Sequence, residues 1–120
     1  MHIQTRYQEA VDEFLRRVLE KYRNKIEGII LFGSVARGDA REDSDVDLLV
    51  VVKERDIADM KEIYGIAFEV SMEYSVEVSP KVYGAREVLK RLELGAPFIN
   101  EVLKEGVSLY GKIGTGKITA

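Results

Sequence analysis

The sequence predicts an α/β (α+β) fold, a small mixed sheet with helices packed mainly on one side. Three observations predict it. Thr5 to Arg23 repeats apolar residues at helical spacing. Two short apolar runs, Ile26 to Phe32 and Asp45 to Lys53, lack that spacing and read as buried strands. A second helical stretch then leads into an alternating run, Ser75 to Ser79. A strand–helix–strand connection of this kind favours a right-handed crossover and parallel pairing.

In the first helix, Val11, Phe14, Leu15, Val18, Leu19 and Tyr22 fall on one face, with Thr5 as its expected N-cap. Gly33 closes the first strand, and Ser34 to Ala40 fits a short helical turn. The second strand leaves no polar face from Leu48 to Val52. Asp56 to about Tyr74 reads as a helix with Ile57, Met60, Tyr64, Ala67 and Phe68 on its inner side. In the third strand Val76 and Val78 share one face, Glu77 takes the other, and Pro80 is the expected stop. Helices from Ala85 to Leu94 and from Pro97 follow, with Gly95 between them, and Val107 to Tyr110 is a last short strand. No linker or internal repeat interrupts the chain. Residues 1–120 are therefore expected to form one domain, with a flexible, Gly-rich tail over about 111–120.

Composition excludes several classes of chemistry. Without cysteine there is no disulfide, thiolate nucleophile or zinc–cysteine site. A net charge of −3 gives no basic footprint for nucleic acid. No apolar run approaches the roughly 20 residues of a membrane span, and the N-terminus lacks the apolar core of a signal peptide. The expected setting is the cytoplasm. High charge with only two Asn and two Gln leans towards a thermophile composition.

The second strand opens on Asp45 and Asp47, with Glu42 and Asp43 just ahead. Residues i and i+2 of a strand point to the same face, so the two carboxylates project side by side. Like charges this close raise each other's pKa and cost stability. One reading leaves both in solvent at a loop end, which suits "EDSD" but fits Asp47 poorly, since five apolar residues follow it. The other is a site for divalent cations. Hard oxygen ligands on a rigid strand suit Mg²⁺, which usually also takes substrate phosphates. Two such ions about 3.5–4 Å apart activate an attacking oxygen and stabilise a leaving one. Gly33 lets backbone approach a ligand closely, and Ser34 presents a hydroxyl and nearby N–H groups to an anion. At residue frequencies of about 5–7%, Gly-Ser, ten residues, Asp, one residue, Asp arises by chance in roughly one chain of this length in a thousand.

The stretch GSVARGDAREDSDVDLLV, Gly33 to Val50, resembles the signature of the DNA polymerase β-type nucleotidyltransferases. Nearly the whole chain, including the ending APFINEVLKEGVSLYG, is similar to the minimal nucleotidyltransferases, antitoxin partners of HEPN-domain toxins. The resemblance implies that Gly33 and Ser34 hold the nucleotide triphosphate and that Asp45 and Asp47 hold two Mg²⁺ ions. It also implies a third carboxylate on a neighbouring strand. Glu77, the one acid of the third strand, is the candidate, with a solvated open-face residue as the alternative. Arg37 and Arg41 flank the phosphate loop, where Arg suits bidentate phosphate contacts; solvated loop arginines are the alternative.

The implied reaction moves AMP from ATP to a tyrosine of a HEPN toxin docking from outside. Neither direct nucleic-acid binding nor a membrane is expected, and the chain could form homo-oligomers or hetero-oligomers with the toxin. A non-catalytic antitoxin and a nucleotide-sensing module are the competing readings. The tail's GKIGTGKI misses the phosphate-binding pattern, with Ile118 at its Ser/Thr place, and His2 is assigned no role.

Overall fold

The computed structural model describes residues 3–113. His2 and the tail beyond residue 113 lie outside the described residues. Helix α1 (Thr5–Tyr22) passes through a 3₁₀ turn (Arg23–Lys25) into strand β1 (Ile26–Phe32). A short helix α2 (Gly33–Arg37) and a loop lead to strand β2 (Val46–Val52). Helix α3 (Ile57–Tyr74) crosses to strand β3 (Val78–Gly84). Helices α4 (Ala85–Glu93) and α5 (Pro97–Glu105) and strand β4 (Val107–Gly111) complete the chain. Thr5 opens the first turn of α1 instead of capping it, since the N-cap position belongs to Gln4.

The strand order is β3-β2-β1-β4. β1 runs antiparallel to β2 and β4, whereas β2 and β3 are parallel, as a helical crossover requires. Ile29, Leu31, Leu48 and Val50 face α1 and α3, in one cluster with Phe14, Val18, Ile63 and Val70. Ile30, Leu49 and Val51 face the other way, onto Val88 of α4 and Ile99 and Val102 of α5. The two long helices thus share one face, and the two shorter ones cover part of the other. Where α1 and its 3₁₀ extension meet α3, Arg17 pairs with Glu73 at 2.6 Å, Lys25 with Asp59 at 3.0 Å, and Lys21 with Glu62.

Two expectations need correction. The third strand starts at Val78, three residues beyond the expected Ser75, and runs through Pro80. Ser75 ends α3 in a left-handed turn at φ 53°, so the strand cannot begin at Ser75. Pro80 is tolerated because β3 is an edge strand. The Val46 N–H donates to the Glu77 carbonyl at 2.8 Å, so Val78, Pro80, Val82 and Gly84 turn their backbone away from the sheet. Proline has no donor to leave unpaired there. The other outward N–H groups are met by side chains: Val78 by Ser71 Oγ at 2.8 Å, Val82 by Tyr64 Oη at 3.5 Å, and Gly84 by Glu87 Oε1 at 3.3 Å.

The second correction concerns α3. Ala67 is buried and Met60 packs against the core as expected, but Ile57, Tyr64 and Phe68 are exposed, and Ile63 and Val70 take their place facing the core. Apolar residues occur on two sides of this helix, and the side with Ala67 and Val70 allows it to sit close to the sheet.

Candidate active site

The site forms where β1 ends and β2 begins. Phe32, the last residue of β1, pairs across the sheet with Asp47. The chain then turns at Gly33, whose φ of +78° falls in the left-handed region that favours glycine. A Cβ at Gly33 would lie 2.3 Å from Asp47 Oδ2, so the Asp47 carboxylate rests on bare backbone. Ser34 follows on α2, half-buried, and its carbonyl accepts from the Gly38 and Asp39 N–H groups at 3.0 and 3.1 Å. Gly38, at φ 83°, ends the helix.

Asp45 is exposed and stands just before β2; Asp47 is half-buried within it. Burial pushes the Asp47 carboxyl above the ordinary carboxylate range, and the Asp45 charge adds to the rise; Lys81 and Arg37 act the other way. The two carboxylates therefore share one electrostatic neighbourhood, in which Lys81 and Arg37 only partly offset the cost of charge at Asp47. An all-oxygen donor set of this kind suits a hard divalent cation that takes its remaining ligands from a nucleotide. Asp45 and Asp47 are the residues that fit Mg²⁺.

Glu77 stands at the same end of the sheet as the Asp pair. It lies one residue before β3, exposed, with its carbonyl bonded to Val46, and the register sets Ser79 opposite Asp47. Among the described residues, no three acidic, histidine or cysteine side chains gather to hold one ion. Because β3 starts at Val78, Glu77 sits at the strand's mouth and not within the strand.

Arg37 lies beside the site, paired with Asp39 at 3.3 Å. With Phe32, Gly33, Phe98, Glu101 and Glu105 it lines a cavity of about 220 Å³. Phe32 and Phe98 meet edge to face there, with ring centroids 5.5 Å apart. Arg41 enters the site's architecture through its backbone. Its N–H donates to Ser44 Oγ at 2.7 Å, and its carbonyl accepts from the Ser44 N–H at 3.0 Å and from the Tyr7 hydroxyl.

The sequence reading missed Lys81, Ser79 and Tyr7. Lys81 and Ser79 show their place only once the β2–β3 register is known. Tyr7 is fully buried, and with Arg6, which bonds the Glu42 carbonyl, it pins the loop before Asp45 to α1. Tyr7→Phe should therefore cost about 1 kcal/mol of stability and slow the reaction, measured by urea unfolding and turnover. A variant as stable and as fast as the parent would show that the loop holds without the bond.

The chain is similar to known proteins over most of its length. A family model described as "Polymerase beta, Nucleotidyltransferase" matches residues 13–113. A Methanocaldococcus jannaschii protein named "Putative protein adenylyltransferase MJ0141" is 36% identical over 102 residues, covering 84% of this chain and 96% of that protein. A solved structure described as a "putative minimal nucleotidyltransferase" superposes with a TM-score of 0.53 at 30% identity, covering 84% of this chain and 94% of the other. The fold is shared, at 15% identity and a TM-score of 0.54, with a chain from a complex of tri-AMPylated Shewanella oneidensis HEPN toxin and MNT antitoxin, covering 97% of this chain and 81% of that one. With the family model matching residues 13–113 and a 36% identical relative covered almost end to end, the chain belongs to the polymerase β family of nucleotidyltransferases.

Proposed function

We propose that this nucleotidyltransferase moves AMP from ATP to a tyrosine hydroxyl of a partner protein, and that the partner is a HEPN toxin for which it is the antitoxin. The observation that carries the reading is the Asp47 carboxylate held against Gly33 with Asp45 beside it. The relative named as a protein adenylyltransferase and the AMPylated complex sharing the fold support the acceptor class.

Mg²⁺ at Asp45 and Asp47 supplies charge neutralisation for the triphosphate. The chain's own part is positioning. Gly33 and Ser34 approach the phosphates through backbone and hydroxyl, while Arg37 and Lys81 add positive charge at the rim. The acceptor oxygen attacks the α-phosphorus, pyrophosphate leaves with the electrons of the broken P–O bond, and the hydroxyl proton is released to water. Arg41, in the loop before Asp45, is assigned to the nucleotide's phosphates, and Glu77, at the mouth of β3, to the third carboxylate position.

One observation favours a second reading, a non-catalytic antitoxin that covers its partner: among the described residues no three acidic, histidine or cysteine side chains gather to hold one ion. ATP labelled at its α-phosphate separates the two. Incubated with the co-produced HEPN partner, the chain should leave label on a partner tyrosine. Protection of cells by an Asp47→Asn chain that transfers no label would favour the covering role.

Ligand linkage is a further expected result. Mg²⁺ with ATP should raise the melting temperature, with a gain of about 2.7 kcal/mol at 100 times Kd. ATP with EDTA should give much less. Equal shifts would contradict a metal held by the Asp pair.

A further inference from the structure

Helix α3 carries an apolar stripe that nothing among the described residues covers. Ile57, Phe68 and Met72 are 74%, 66% and 68% exposed, and Tyr64 is 42% exposed. Their spacing places them on one side of the helix. At its centre is Gly65, in helical conformation, where an added Cβ would meet nothing within 4 Å. No turn, close approach or positive φ within the chain requires a glycine there, yet glycine in a helix interior is about 1 kcal/mol worse than alanine. A bulky group of a second molecule seated at this point would account for it.

The neighbouring edge narrows the kind of occupant. The outward donors of β3 at Val78, Val82 and Gly84 are already taken, and Pro80 has none. An added strand finds no row of free N–H groups, so the occupant of the stripe packs through side chains, as a helix does.

The stripe is complementary to itself. If two α3 helices cross antiparallel about a two-fold axis between Tyr64 and Gly65, the large Tyr64 ring of each copy covers Gly65 of the other. Ile57 then meets Met72, and Lys61 lies across Phe68, one residue from Glu69 of the other copy. Small faces large, and cation faces ring and carboxylate, without adjustment of register. We infer that the chain forms a two-fold homodimer through antiparallel packing of α3, centred on Gly65. One helix pair is a small interface beside the roughly 800 Å² per partner of standard stable complexes, so a weak, concentration-dependent association is expected.

Sedimentation of the full chain over rising concentration tests this. The parent should pass from monomer to dimer. Phe68→Glu should weaken association more than about tenfold, as loss of a central aromatic anchor does, with an unchanged circular dichroism spectrum. Lys61→Glu should weaken it too, and adding Glu69→Lys in the same chain should restore it. Because the chain has no cysteine, Gly65→Cys provides a single thiol next to the axis. A short bis-maleimide should join two such chains, and should not join Leu94→Cys chains. A parent that stays monomeric at every concentration overturns the inference, and so does a dimer that Phe68→Glu leaves intact. A monomeric parent whose Phe68→Glu variant fails to label an acceptor would assign the stripe to that acceptor instead.

Discussion

Asp47→Asn, and separately Asp45→Asn, should abolish nucleotidyl transfer while leaving the chain folded. The expected loss is on the order of 10²–10³-fold or more, the scale seen when one charge-stabilising group is removed from a transition state. Stability should move the other way. The Asp47 pKa is raised in the folded chain by burial and by Asp45. A raised carboxyl pKa means the native state holds its proton more tightly than the unfolded chain does. Its favourable contribution is complete below the unfolded pKa and disappears as pH rises through the folded pKa. At neutral pH the ionised Asp47 is therefore a cost that asparagine removes. Without metal the Asp47→Asn chain should melt no lower than the parent at pH 7, and its advantage should shrink on acidification towards the carboxylate range. Calorimetry across pH, beside a transfer assay, measures both effects. A variant that unfolds would assign Asp47 a structural role, and one that transfers normally would remove it from the site.

Gly33→Ala should be the most damaging small substitution near the site. The left-handed backbone alone costs a non-glycine residue roughly 1–2 kcal/mol. The new Cβ would also stand 2.3 Å from Asp47 Oδ2, so the carboxylate has to move. Gly95 supplies the control, having φ +70° with nothing within 4 Å of its added Cβ. Gly95→Ala should show the backbone cost in urea unfolding and keep full turnover. Gly33→Ala should show a larger loss of stability together with loss of transfer. Equal behaviour of the two variants would mean that the Gly33–Asp47 contact does not matter to the reaction.

Much of this site was legible in the sequence because its halves are close along the chain. Gly33, Ser34, Asp45 and Asp47 belong to one β1–α2–β2 segment, and a charged residue ahead of five buried ones is conspicuous. What was not legible depends on neighbours distant in sequence. Pro80 reads as a strand end unless the strand is known to lie at an edge. With that misreading, Ser79 and Lys81 stay hidden, and Glu77 looks like a strand residue. Helix α3 is ambiguous for another reason: it is apolar on two sides, and which side faces the sheet is decided by how closely Ala67 and Val70 let it approach. A periodicity count sees both stripes and cannot rank them.

The charged seam between the two long helices has a consequence for assembly of the fold itself. Every cation in its three pairs comes from α1 and its 3₁₀ turn, and every anion from α3. Exposed pairs of this kind contribute little to stability, typically 0–1 kcal/mol each. Their one-sided arrangement selects among arrangements instead. Docked against a second α1, the basic row would meet its own sign, and a slip along the seam would misalign several pairs together. The seam thus acts as a sorting rule during folding, directing α1 to the flank of its own α3 in a single alignment.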